Sequence, residues 1–352
     1  MERSENGETM VKKITLKQVA ETLGVSMMTV SRALNNNPNV DKHTKERVIK
    51  KVHELGYSPN HIAKSLVQKK THTIGVVVPE IAHSFFPEAI RGIEEVVYHE
   101  GYQIMLTHSA ENFEREVAAI ETLVSKRVDG ILISVAESDK DLSVYTQVLK
   151  MGLQLVFFDR CVYKIGASCV SINDEESARI ITKHLIEHKY KKIAHLSGPL
   201  TISISKARLN GYKKALQQNG IKFNTEMVVE SGFHEEGGYN AMRQLLDLSP
   251  QKRPRAVVAV NDPAAFGAMK AIKERGLRIP KDVAIVGISD DIRAELMPIP
   301  LTTIRQPAYE EGKLAAKKLI AHIEKKKEKV EKIVVETQLI IRESCGCHKK
   351  SN

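Results

Sequence analysis

The chain has 352 residues, a formal net charge of +10, four cysteines and no tryptophan. No run approaches the roughly 18 consecutive apolar residues that a membrane span requires, and the polar N-terminus lacks an apolar leader core, which argues against a membrane protein and for a cytoplasmic one. Between Met10 and Lys70 stand twelve Lys plus Arg against four Asp plus Glu, so this short segment carries +8 of the whole charge, a composition suited to neutralising phosphates.

Residues 1–13 read as a polar, disordered tail, and Met10 is a plausible alternative start. From Thr15 to Asn35 the sequence TLKQVAETLGVSMMTVSRALN reads as two short amphipathic helices broken at Gly24. Thr15 and Gln18 have the spacing of a capping box, in which each side chain satisfies a backbone N–H that a helix start leaves unpaired. Leu16, Val19, Ala20 and Leu23 recur at helical spacing, Gly24 can take the backbone angles that end a helix, and Ser26 can cap the next. In that second helix Val30, Ala33 and Leu34 face inward, while Met27, Met28, Thr29, Ser31 and Arg32 stay outside or at the edge. This is a helix-turn-helix pattern, with an ordinary helical hairpin as the alternative. A third helix follows, capped by Asp41, with Val48, Ile49, Val52 and Leu55 as its buried stripe and Gly56 as its stop.

Ser58 and Pro59 suit the cap and first position of a short helix through residue 67. Isolated helices below about 12 residues are marginal in water, so this one needs a partner or DNA to persist. The polar stretch QKKTHT after it is a linker, with a domain boundary near residue 71.

The runs VAETLGVSMMTVSRALN, VDKHTKERVIKKVHELGYSPNHIAKSL and THTIGVVVPEIAHSFFPEAIRGIEE closely resemble the lactose and galactose repressor family of bacterial transcription regulators. The similarity runs from about residue 14 to 343. It implies a small all-α helix-turn-helix DNA-binding domain with a hinge helix, followed by a two-subdomain α/β doubly wound core like that of type I periplasmic binding proteins. The implied boundaries are 14–58 for the DNA-binding domain, 59–71 for hinge and linker, 72–343 for the effector and dimerisation domain, and 344–352 for a tail. Within the large domain one subdomain is expected over 72–168 plus 301–328, the other over 169–300 plus 329–343.

Read on its own, the bulk of the chain alternates apolar runs with helical stretches. Strands are expected at 74–79, 102–106, 130–134, 155–159 and 169–172, then at 192–197, 227–230, 256–260 and 283–287, with helices such as 89–100 and 177–188 between them. Val- and Ile-rich runs flanked by helices predict parallel strands buried on both faces, and two such series suggest two subdomains. Doubly wound sheets bind ligands beyond the carboxyl ends of their strands, and two facing subdomains make a cleft there. The residues at those ends are Ser84, Phe85, Phe86, Asp159, Arg160, Arg208, Phe233, Asn261 and Asp262. Carboxylates and guanidinium groups bond hydroxyls while aromatic rings cover a sugar's apolar face, so the expected effector is a small polar, sugar-like metabolite. Phe85 or Phe86 can instead be core, and Asp262 can be the cap of a helix opened by Pro263. The resemblance favours Arg208, Asp262 and Asp159 as effector contacts, followed by Phe86 and Phe233. His83-Ser84 stands where Asn-Pro is common in the family, and Ile288-Ser289-Asp290 where Phe-Asp-Asp is usual, so effector identity cannot be borrowed from a relative.

The same resemblance nominates Met27, Met28 and Arg32 as readers of base edges from the second helix of the helix-turn-helix, where Arg can pair bidentately with guanine and Met can touch thymine methyls. Thr15, Ser26, Thr29, Ser31, Asn35 and Asn60 suit phosphate contacts that position without specifying. Leu66 resembles the family's minor-groove wedge. Relatives are homodimers, some of them tetramers, but no leucine-heptad tail is present here.

Cys345, Cys347 and His348 can supply metal ligands, yet they lack a fourth neighbour and the usual two-residue spacing, so neither a metal nor a cofactor is expected. Cys161 and Cys169 can pair only if the fold joins them, and nothing indicates an oxidising compartment. A secreted sugar receptor would share the two-lobed core but have no use for residues 15–67. An enzyme is disfavoured, with no glycine-rich phosphate loop, G-x-S-x-G elbow or H-E-x-x-H and no catalytic residue nominated. The reading is a DNA-binding regulator acting as a repressor on a palindromic operator; an activator, or a catabolite-type regulator using a protein co-regulator, is the alternative.

Overall fold

A computed structural model describes residues 14–57, 70–137, 140–163, 165–324 and 328–347. Asn60, Leu66 and His348, and with them the expected hinge helix, lie outside the described residues. The chain divides into two compact units, Met1–Thr71 and His72–Asn352.

Among the described residues the first unit holds three helices, α1 (Leu16–Leu23), α2 (Met27–Leu34) and α3 (Lys42–Leu55). The capping box forms as expected: the Gln18 N–H donates to Thr15 Oγ1 and the Thr15 N–H donates to Gln18 Oε1 at 2.8 Å. Gly24 takes φ 64° and ends α1, and Ser26 Oγ accepts from the Thr29 N–H at 3.0 Å to start α2. Asp41 caps α3 in the same way, and Gly56 ends it with φ 65°. Val19, Ala20, Val30, Ala33 and Val48 form the small core. Ile49, expected on the buried stripe of α3, is instead exposed.

The second unit contains two six-stranded sheets. The first is built from β1 (Thr73–Val78), β2 (Gln103–His108), β3 (Gly130–Ile133), β4 (Gln154–Phe158), β5 (Ser168–Ile172) and β11 (Lys332–Val335), in the order β11-β5-β4-β3-β1-β2 and parallel throughout. The second is built from β6 (Ile193–Ser197), β7 (Val228–Glu230), β8 (Ala256–Ala259), β9 (Ala284–Ser289), β10 (Thr302–Arg305) and β12 (Gln338–Ile340), in the order β12-β10-β9-β8-β6-β7, with β12 antiparallel to β10.

Helices cover both faces of each sheet. On the first sheet Val76, Val78 and Leu132 pack towards α4 (Phe85–His99) and α11 (Ala308–Ile323), while Val77, Ile131 and Ile133 pack on the other face against α5 (Phe113–Ser125) and α6 (Ser143–Lys150). On the second sheet α7 (Asp174–Glu187) and α8 (Ser203–Gln218) cover one face, and α9 (Glu235–Asp247) and α10 (Asp262–Glu274) the other. This two-sided burial is why the strands read as continuous Val/Ile runs rather than alternating ones. The α4–α11 pair touches backbone to backbone, since a Cβ on Gly92 would sit 2.1 Å from the Tyr309 carbonyl oxygen and one on Gly312 2.0 Å from that of Ala89.

The nine expected strands are present, and β10, β11 and β12 are additional. They shift the expected subdomain boundaries: 168–172 pairs into the first sheet, 302–305 into the second, and 332–335 returns to the first. The chain therefore passes between the lobes three times, after β5, after β10 and after β11. Cys161 and Cys169, eight residues apart, are joined in a disulfide, so the fold supplies the proximity that sequence left open. Among the described residues no helix is long and apolar enough to cross a membrane.

Candidate functional site

Two places carry candidate functional side chains, one in each unit. In the first, α2 stands on the three-helix core with Val30 and Ala33 buried and Met27 and Met28 51% and 61% exposed. Two large apolar side chains held in water at a helix start are costly unless something covers them. Arg32 is exposed on the same helix. Among the residues expected to touch phosphate, Thr15 and Ser26 serve as caps, the hydroxyls of Ser26 and Thr29 lie 2.9 Å apart, and the Asn35 side-chain amide donates to the Ser31 carbonyl. These bonds hold the helix ends in place and leave the hydroxyl lone pairs and backbone amides at the surface.

In the second unit a cavity lined by residues of both lobes opens between them. Of the nine strand-end residues nominated from sequence, Ser84, Phe85, Phe86, Asp159, Arg160, Arg208, Phe233 and Asn261 line it. Asp262 does not. It is fully buried behind the floor, where Oδ1 accepts from the Thr303 hydroxyl at 2.6 Å and Oδ2 from the Asp291 N–H at 2.9 Å. The helix cap at this point is Asn261, whose Oδ1 accepts from the Ala264 N–H while its amide donates to the Phe233 carbonyl. Burial raises the Asp262 carboxyl to about 7.

The lining is dominated by charged groups held in fixed orientations. Arg160 is buried, clamped by both oxygens of Glu111, and its guanidinium lies 4.6 Å over the Phe233 ring and 5.9 Å from that of Phe86. Arg208 donates from Nε to Asp174 at 2.8 Å and from Nη1 to the Val260 carbonyl at 2.6 Å. Burial outweighs that pairing and lifts the Asp174 carboxyl to about 6. Asp159 accepts from the Ser134 hydroxyl and the Gln306 amide, and its carboxyl is raised chiefly by burial against the opposing pull of Arg160 and Arg208. Glu311, behind it, is pushed well above the usual carboxylate range by burial and by Asp159.

Backbone strain concentrates at the same strand ends. Asp159 and Asp290 adopt φ 57° and 56°, and Ser289 φ 142°. Such conformations cost about 1–3 kcal/mol each in non-glycine residues and gather at ligand sites. Contacts also bridge the mouth of the cleft: His83 Nε2 lies 2.9 Å from His234 Nδ1, and Arg160 of the first lobe covers Phe233 of the second.

Several lining residues were not among the nominated contacts: Glu80, Glu111, Ile204, His234, Pro263, Asp291 and Gln306. Glu111 follows the end of β2 and Gln306 the end of β10, so the strand-end rule reaches both once the strands are placed. His83, Ser84 and Ser289 also line the cavity, at the two places where the sequence departs from the family pattern.

Residues 15–60 match the bacterial regulatory proteins of the lacI family, and residues 182–345 match a periplasmic binding protein-like domain. The chain is 35% identical over 330 residues to the HTH-type transcriptional repressor PurR of Pasteurella multocida, covering 94% of this chain and 98% of that one. It is 34% identical to the ribose operon repressor of Haemophilus influenzae with the same coverage. Among solved structures it is similar to the Lac repressor dimer bound to operator and an anti-inducer, with a TM-score of 0.85 and 28% identity over 95% of this chain and 99% of that one. With its helix-turn-helix and its two-lobed ligand cleft both in place, the chain belongs to the lacI family of bacterial regulatory proteins.

Proposed function

We propose that the protein is a transcriptional repressor that binds a palindromic DNA operator as a homodimer and changes its affinity when a small polyhydroxylated metabolite occupies the cleft. The observation that carries this reading is the exposed apolar and cationic face of α2, Met27, Met28 and Arg32, in a chain whose second unit carries a cleft lined by guanidinium, carboxylate, amide and aromatic groups. Arg32 pairs with guanine and the methionines with thymine methyls, each good contact discriminating by about 1–3 kcal/mol. Thr15, Ser26, Thr29, Ser31 and Asn35 position the domain on phosphates, with Asn60 and Leu66 extending the contact from the hinge.

In the cleft, Asp159 accepts hydroxyl hydrogens, Arg208 and Asn261 donate, and Phe86 and Phe233 cover the apolar face of the ligand ring. Arg160 and Glu111 neutralise each other, which favours a neutral polyol over a strongly anionic ligand. The ligand bridges both lobes, so its occupancy biases their closure, and closure sets the spacing of the two DNA-binding units in a dimer. The ligand is sensed and not turned over, and the site of action is the cytoplasm, where DNA lies.

Genomic footprinting of sites bound by the full chain, followed by a thermal-shift screen of the metabolites handled by neighbouring genes, tests the proposal. The expected result is a set of two-fold symmetric sites and a sugar or sugar derivative that stabilises the protein; turnover of that compound by the purified chain would contradict it.

A further inference from the structure

The C-terminal Cys345 and Cys347 look like an incomplete ligand set in sequence, and the fold brings two histidines to Cys347. Their segment lies against the end of α7, where His184 and His188 stand four residues apart and therefore on one face. Cys347 Sγ is 3.1 Å from His184 Nε2, and one ligand atom from each of His184, His188 and Cys347 falls within 4.8 Å of the others. Cys345, two residues earlier, is buried, with its thiol 3.4 Å from the Arg342 carbonyl oxygen. A tetrahedral zinc centre with Zn–S of about 2.3 Å and Zn–N of about 2.0–2.1 Å holds its donors roughly 3.3–3.8 Å apart, so small side-chain rotations bring these groups to ligand spacing.

The surroundings resemble those of a metal ligand set. The His188 Nδ1 lies 2.7 Å from the His184 carbonyl oxygen. A carbonyl only accepts, so the proton sits on Nδ1 and the lone pair on Nε2, the arrangement by which a ligating histidine is oriented from behind. The tail carrying the thiols is itself anchored: Ser344 Oγ accepts from the Thr302 N–H at 2.8 Å and donates to the Ile285 carbonyl at 2.6 Å. A second group of possible ligands, Glu80, His83 and His234, lies at the cleft mouth and contains no sulfur.

We propose that His184, His188 and Cys347, with the buried Cys345 thiol turned from the Arg342 carbonyl to serve as the fourth donor, bind one Zn²⁺ ion in a tetrahedral site with two sulfur and two nitrogen ligands, clamping the C-terminal segment to the end of α7. The mixed thiolate and imidazole donors select a borderline-soft divalent ion over Mg²⁺ or Ca²⁺. Binding releases thiol protons and ties α7 to the strands β9 and β10 through Ser344.

The test is titration of the reduced, chelator-treated full chain with Co²⁺, then displacement by Zn²⁺. One equivalent of Co²⁺ should bind, with thiolate-to-cobalt charge-transfer absorption and the intense visible bands of tetrahedral cobalt, both abolished by Zn²⁺. Loss of an outer-shell partner costs about 10–100-fold in metal affinity, so Cys347→Ser and His188→Gln, which remove ligands at accessible positions, should each cost at least tenfold. Cys161→Ser/Cys169→Ser and His83→Gln/His234→Gln should retain the spectrum. Absence of charge-transfer absorption, its survival undiminished in Cys347→Ser, or its loss in either control pair but not in His188→Gln would overturn the proposal.

Discussion

Arg208→Gln isolates the energetics beneath the cleft floor. The Arg208 guanidinium is 3% exposed and holds the nine-tenths buried Asp174 through Nε and Nη2 at 2.8 and 2.7 Å, with Asp159 and Glu311 close enough to feel its charge. Removing one partner of a buried pair leaves an uncompensated charge, at a cost of about 3–5 kcal/mol. In a unit of this size each kcal/mol moves the melting temperature by about 2–4 °C, so the variant should melt roughly 10 °C lower near pH 8. The cost should depend on pH in one direction. Arg208 stabilises only the ionised form of Asp174, whose carboxyl titrates near 6 in the folded protein. Without Arg208 the carboxyl titrates higher still in the variant, so the difference widens as pH rises from 6 towards the variant's own value; as pH falls through 6 Asp174 is protonated in both proteins and the difference shrinks. Differential scanning calorimetry of both proteins between pH 5 and pH 8, with circular dichroism to confirm the fold, measures this. A difference below about 2 °C at pH 8, or one that grows on acidification, would refute the assignment of Arg208 as the counter-charge of this carboxylate cluster.

Asp262→Asn should flatten part of the pH–stability profile. The folded carboxyl titrates near 7 against an ordinary value of 3.8, so between those values the native state keeps a proton the unfolded chain has lost. Stability then falls by about 1.4 kcal/mol per pH unit from this group as pH rises towards 7 and levels off above; the wild-type-minus-variant difference should show that slope, and parallel profiles would contradict it. Thr15→Ala removes the hydroxyl that accepts from the Gln18 N–H while keeping the backbone N–H that donates to Gln18, and should cost about 1 kcal/mol, read as faster amide exchange in α1, with unchanged protection as the opposing result. Arg32→Ala should lower affinity for the preferred operator by about 1–3 kcal/mol and relax preference at one base position; a uniform loss across all sequences would mark Arg32 as a phosphate contact instead.

The three helices of the first unit were legible because their determinants are local. Thr15, Gln18, Gly24, Ser26, Asp41 and Gly56 do in the structure what their spacing indicates. Ile49 was misplaced because a helical stripe wider than the small core leaves its edge in water. Apolar runs identified nine strands, whereas β10, β11 and β12 owe their state to partners distant in sequence. The lobe boundaries failed for the same reason, since whether residues 168–172 or 332–335 join one sheet or the other is decided by pairing between them. The cleft was legible to the extent that ligands gather at strand ends. Asp262 escaped that rule because its orientation depends on Thr303, 41 residues away, whereas Glu111 obeys it and went unnominated because its pairing with Arg160 appears only in the fold.

Selection of duplexes from a random pool by the full chain, with affinity then followed against salt and against the cleft ligand, tests most directly whether α2 reads DNA under control of the second unit. Enrichment of a two-fold symmetric sequence is expected, bound with a log–log salt slope of about −5 to −9 if some 6–10 phosphates are contacted, and with an affinity that the ligand changes at fixed salt. A pool that yields no symmetric sequence, with binding insensitive to salt and to every ligand that stabilises the second unit, would contradict it.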